Sequence, residues 1–286
     1  DSGLTIEYAA GIIGNNSSIN IQSGAIQSGN YSIGAAATGD SVLNITGGTT
    51  NITVDGSAST GLYAGTGSTL NLTGGTVTTT GGAFNVFSNG TVNLANTTIG
   101  TGASSLAFMA GTGGRILFNN TTATISGGSN TPATRGTAFL YQGTGHSSFT
   151  AGDITTWAAN TFGGTTNQLT LNMNSGSRLF IASDVAMNLS NTNATNLFGS
   201  SSPTIIGTDY KTFMLYQSDL TIDKAINLDS ATDDYNNLEI VTSKITNNGF
   251  NITGTAAGQA GMAQENGLDM TSTPLVRSTV TLTNNN

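Results

Sequence analysis

The chain has no cysteine, three prolines, one histidine and one tryptophan in 286 residues. Without cysteine there is no disulfide framework and no thiolate metal site, so stability has to come from packing of the chain on itself. A cysteine-free chain also suits a protein threaded unfolded through a secretion pore. Charge is almost as scarce: 8% of residues are charged, against roughly 25% in an average soluble domain. Only seven are Lys or Arg, the net charge is −8 and the pI is near 4.2, which excludes a surface built to neutralise nucleic-acid phosphates. No apolar run reaches the roughly 18 residues of a membrane-spanning helix, so none is expected. Asp1 to Ala10 has no basic segment leading into an apolar stretch, so no signal peptide is expected there.

What is abundant is Gly, Thr, Ser and Asn, a composition compatible with disorder were it not for the 36% of hydrophobic residues gathered in short regular clusters. One phrase recurs: Ile19-Asn20-Ile21, Leu43-Asn44-Ile45, Leu70-Asn71-Leu72, Val92-Asn93-Leu94 and Ile116-Leu117-Phe118, starting 24, 27, 22 and 24 positions apart. A period of this size marks a solenoid, in which each repeat is one supersecondary unit stacked on its neighbours. Each period holds three β-rich clusters, as in Gly61-Leu62-Tyr63-Ala64, Thr69-Leu70-Asn71-Leu72 and Thr76-Val77-Thr78-Thr79. Gly47, Gly74, Asn96 and Asn120 follow the middle cluster, and Gly39-Asp40, Gly67-Ser68, Asn89-Gly90 and Gly113-Gly114 precede it. These residue types tolerate the left-handed backbone of a sharp corner. Three strands and three corners per coil describe an all-β, right-handed parallel β-helix, the hand following from the crossover rule. No stretch keeps a 3.6-residue period, so helix content should be close to nil.

Alternation sends the flanking apolar residues of the phrase inward and Asn20, Asn44, Asn71 and Asn93 outward, in a column where amides one coil apart can hydrogen-bond. The alternative is an inward Asn ladder with the Leu and Ile side chains facing water. The whole chain, 1–286, reads as a single β-helix segment, regular over 1–126 and with longer coils and inserted loops over 127–286. The later phrases are Ser147-Ser148-Phe149, Leu179-Phe180-Ile181, Leu220-Thr221-Ile222, Lys244-Ile245-Thr246 and Val280-Thr281-Leu282. Insertions are expected at Gly127–Gly136, Ala151–Asn167 and Ser190–Lys211. Nine of the fifteen acids lie at or after Asp209, without a domain boundary.

The stretch from Gly61 to Val77, with its Leu-Tyr-Ala strand, Gly-Ser turn, Leu-Asn-Leu strand, Gly-Gly pair and Thr-rich strand, resembles the passenger repeats of large type Va autotransporter adhesins of Gram-negative bacteria. The resemblance is closest over 40–126, and secreted adhesins of the filamentous haemagglutinin type share the style. It implies a passenger segment displayed on the cell surface and attached to the outer membrane through a separate C-terminal barrel. Its partner would be a host or bacterial surface receptor, protein or glycan.

No cofactor, metal ligand set or catalytic group is expected, and the chain reads as a non-enzyme. His146, the single histidine, reads as a corner residue without the partners a general base needs. Asp233-Asp234, with Asp219, Asp223, Asp229 and Glu239 nearby, lacks the motifs of β-helical polysaccharide hydrolases and lyases. It is a solvated face or a weak calcium site. The regular coils over 40–126 should expose mostly Thr, Ser, Asn and Gly. Partner contacts are therefore expected on the insertions, from Trp157, Arg135, Tyr210, Lys211 and Tyr216. An inert β-helical stalk and, less favoured, a polysaccharide-cleaving enzyme are the rival readings.

Overall fold

The computed structural model describes residues 9–56, 58–80, 84–127, 135–188, 198–207, 210–223, 226–227, 239–241, 243–248, 252–253, 263–265 and 282–284. Every strand pairs in parallel with the equivalent strand one coil away, and the coils wind into a right-handed parallel β-helix with about three strands each. The first sheet is the largest, with thirteen strands. Its path runs from Ala9–Asn15 through Ser32–Thr38, Thr60–Ala64, Phe84–Ser88, Leu106–Ala110, Thr137–Phe149 and Arg178–Asn188 to Lys211–Tyr216 and beyond. The second sheet has five strands, from Ser18–Ile21 to Arg115–Asn119, and the third has seven, from Ala25–Ser28 to Thr204–Ile206.

The interior is the one the alternation requires. Leu43 and Ile45, Leu70 and Leu72, Val92 and Leu94 are buried in successive rungs of the second sheet. Between them Asn20, Asn44, Asn71 and Asn93 face outward and hydrogen-bond in line. Asn44 donates to Asn20 at 2.7 Å, Asn71 to Asn44 at 2.7 Å and Asn93 to Asn71 at 2.6 Å. The column ends where Leu117 takes the next register position. The corner after this sheet is left-handed in each coil, with φ of 126° at Gly47, 73° at Gly74, 51° at Asn96 and 49° at Asn120.

The expectation of negligible helix is corrected. Ala151–Phe162 forms a twelve-residue α-helix, α1, not a loop. Thr150 caps it: its hydroxyl accepts the Asp153 N–H at 3.2 Å while the Asp153 carboxylate accepts the Thr150 N–H at 2.8 Å. Gly163, at φ 56°, closes the other end by donating its N–H to the Ala159 carbonyl at 2.9 Å. Ile154, Trp157, Ala158, Thr161 and Phe162 lie on one face, and all but the half-buried Trp157 are buried. The helix packs on the strand Arg115–Asn119, where the second sheet stops, and the Phe118 N–H donates to Thr165 Oγ1 at 2.9 Å in the turn that follows. Helix and turn thus cover an edge that would otherwise present unpaired backbone groups. The insertion is part of the core.

A second correction concerns register. Ser147–Phe149 pairs with Val185–Met187, and Ala186–Asn188 pairs with Asp219–Thr221, so these rungs follow one another. Leu179-Phe180-Ile181 belongs to a different column, with Phe180 in register with Phe139 and Phe213. The strand Arg178–Asn188 is eleven residues long and carries both rungs, so one phrase per coil does not describe it. Val280, Thr281, Asp229, Asp233, Asp234 and the middle of the two outer insertions, 128–134 and 189–197, lie outside the described residues.

Candidate binding surface

The outer face of the first sheet differs from the other two. Its strands do not alternate strictly. In Thr60–Ala64 and Phe84–Ser88 the first and fourth residues are the more exposed and those between them are buried. This spacing puts Tyr63, Phe87 and Met109 in one register column on the outside, with Leu140, Ile181 and Met214 continuing it coil by coil. Phe84 stands beside it, in register with Leu106. The rings of Tyr63 and Phe87 are 5.7 Å apart and tilted by 43°, and those of Phe84 and Phe87 are 6.0 Å apart. Asn89 Nδ2 lies 3.4 Å from the Tyr63 hydroxyl at the rim. Leu106, Leu140, Ile181 and Met214 are buried, whereas Tyr63, Phe84, Phe87 and Met109 are only partly buried. The exposed residues of the coils at 40–126 are mostly Thr, Ser, Asn and Gly, as expected, and Tyr63, Phe84, Phe87 and Met109 add partly buried apolar side chains to the outer side of the first sheet. The signal that could have found them is the aromatic pair Phe84 and Phe87 within one short strand, since two apolar residues three apart cannot both follow a two-residue alternation.

The five sequence-predicted contact residues do not form one surface. Trp157, on α1, packs edge-on against Tyr141 at 5.6 Å, Phe162 at 5.3 Å and Phe180 at 5.6 Å. Arg135 is buried. Tyr210 is half-buried against the main core. Tyr216 is buried in the outer apolar cluster with Leu140, Ile181 and Met214. Lys211 begins the strand Lys211–Tyr216 opposite Arg178, and its side chain lies outside the described residues. Burial pushes the Tyr141 phenol above its ordinary pKa, and the nearby Asp153 carboxylate adds to the effect.

His146 sits at a left-handed bulge, φ 51°, where the pairing register slips between Gln142 and Ser147. Asp184, itself at φ 55°, holds the bulge by accepting the Gly145 N–H at 2.8 Å and the His146 N–H at 3.0 Å. The imidazole lies between two carboxylates, 3.6 Å from Asp184 and 3.8 Å from Asp219, beyond ordinary hydrogen-bond length. Among the described residues no group of three or more His, Asp, Glu or Cys side chains is placed to hold a metal ion. The visible work of the Asp184 carboxylate is to satisfy the backbone of a corner.

No protein-family model, curated protein or solved structure matches this chain.

Proposed function

We propose that this chain is a segment of a bacterial surface adhesin, a passenger rod that presents the outer face of its first sheet to a receptor on a host or bacterial cell. The observation that carries the reading is the partly buried outer group Tyr63, Phe84, Phe87 and Met109, with its rings in contact and in register. Apolar area held open on a rigid scaffold, with aromatic residues at its centre, is the usual mark of an interaction site. The third sheet has no aromatic column: one outward register column reads Asn51, Thr76, Thr98, Thr122, Thr170 and Thr204, and its large exposed apolar side chain, Ile206, stands at the last strand. The repeat phrase of Gly61 to Val77 supports surface display, and attachment through a C-terminal outer-membrane barrel comes with that resemblance. An inert stalk has no use for partly exposed rings in register on successive coils.

The test is saturable binding of the purified chain to epithelial and to Gram-negative bacterial cells, read by flow cytometry. The parent chain should bind one of them, and the double substitution Tyr63→Ala with Phe87→Ala should weaken that binding by about tenfold or more. Absence of saturable binding to either cell type would overturn the adhesin reading.

A further inference from the structure

We infer that the column Tyr63–Phe87–Met109, flanked by Phe84, is a binding platform for a linear, uncharged glycan lying along the rod axis. This rests on the adhesin reading and names the chemical class of its ligand. Three observations converge on it. The first is shape: the platform residues stand on adjacent rungs in strict register, at the strand spacing of about 4.8 Å, close to the length of one pyranose unit in an extended chain. A glycan running up the rod therefore meets one platform side chain per sugar, or nearly so. The second is chemistry. The Tyr63, Phe84 and Phe87 rings adjoin one another on the outside of the sheet, partly buried, where the C–H faces of a sugar can pack on them, and the Tyr63 hydroxyl and Asn89 amide stand beside them to meet sugar hydroxyls.

The third observation is charge. The first-sheet strands Ala9–Asn15, Ser32–Thr38, Thr60–Ala64, Phe84–Ser88 and Leu106–Ala110 contain no Asp, Glu, Lys or Arg. Sialic acids, uronic acids and sulfated sugars are selected by Arg and Lys forks, and protein partners are steered by charged rims. The strands that carry the platform have neither to offer; charged residues of this sheet, among them Arg178, Asp184, Lys211 and Asp219, stand on later strands. The platform also has a defined length, because its column continues into the buried Leu140, Ile181 and Met214. The site therefore takes a few sugar units and not an unlimited chain.

The experiment is isothermal titration of the full chain with cellohexaose, chitohexaose and mannohexaose, and with sialyllactose and a heparin hexasaccharide as charged probes. At least one neutral hexasaccharide should bind, and more tightly than either charged probe. Phe87→Leu keeps an apolar side chain in place but removes the ring, and it should weaken binding by about tenfold or more, while Phe87→Tyr restores it. Circular dichroism and the urea midpoint establish that each variant is folded. The inference is overturned if none of the neutral hexasaccharides binds at millimolar concentration, if a charged probe binds more tightly, or if Phe87→Leu binds as the parent does. Cell binding that depends on Phe87 without glycan binding would overturn the glycan class and leave the adhesin standing. Glycan binding without cell binding would do the reverse.

Discussion

The ring of Phe162, in the last turn of α1, lies 5.6 Å from the ring of Phe118, an inward-facing residue on the last strand of the second sheet. Phe162 also meets Phe139 edge-on at 5.3 Å. Where the next coil would have supplied another second-sheet strand, the helix supplies a phenyl ring instead, and the prism interior continues through it.

Removing that ring should therefore be costly. Phe162→Ala should destabilise the protein by about 3–5 kcal/mol, the usual range for a large aromatic deleted from a packed core. Deleting Ala151–Asn167 should do more, by uncovering the edge of Arg115–Asn119 and the Phe118 N–H. Urea denaturation measures the first. Peptide-level hydrogen exchange measures the second, and undiminished protection over 115–119 in the deletion would show that the helix is only an appendage.

Damage inside the regular stack should stay local. Leu70 is fully buried between Leu43 and Val92 in register, so Leu70→Asp places an unpaired charge in the interior at a cost of several kcal/mol. Coils touch chiefly their neighbours, so hydrogen exchange should rise around 42–46 and 91–95 while the rungs near Leu220 keep their protection. Uniform loss along the chain would mean that the rod unfolds as one unit.

The outward Asn column should contribute modestly. Asn71 accepts from Asn93 and donates to Asn44, and both bonds lie at the solvent boundary. Asn71→Ala should cost about 1–2 kcal/mol, near the sum of two ordinary net hydrogen bonds. A chevron or equilibrium urea curve reads this directly, and a cost above that of Phe162→Ala would contradict the burial argument.

Gly61 should not tolerate a side chain. A Cβ there would stand 2.6 Å from the Asn85 carbonyl oxygen and 2.6 Å from a Val77 methyl, where the third sheet turns into the first. Gly61→Ala should destabilise by about 1–3 kcal/mol through overpacking, measured by thermal or urea unfolding. Gly48, with open space around its Cβ direction, is the matched control and should change little.

Alkaline pH should weaken the fold through Tyr141. Its pKa is raised in the folded state by burial first and by Asp153 second. The fold thus favours the neutral phenol, and this contribution is complete below the unfolded value of about 10 and is lost as pH rises through the folded value. Tyr141→Phe should flatten the stability profile above about pH 10 relative to the parent. Unchanged profiles would show that Tyr141 is not the group responsible.

The architecture was legible because a solenoid repeats one short instruction. Two apolar residues around an Asn, with Gly or Asn two places later, determine an inward pair, an outward amide and a left-handed corner in the coils at 43–47, 70–74 and 92–96. The α-helix, too, has a local signature. Thr150 and Asp153 form a capping box, and Ile154, Trp157, Ala158, Thr161 and Phe162 keep a helical period for two turns before Gly163. Which apolar side chains of the first sheet face outward was not legible. In Phe84–Ser88 and Leu106–Ala110 apolar residues point both ways, so alternation cannot say which of Val86, Phe87, Phe108 or Met109 faces water. Tertiary structure decided it: stacking places Val86 and Phe108 against the interior of the prism, and the register of successive coils then carries Tyr63, Phe87 and Met109 to the outside, because a strand held in a closed coil has only one face left to fill the core.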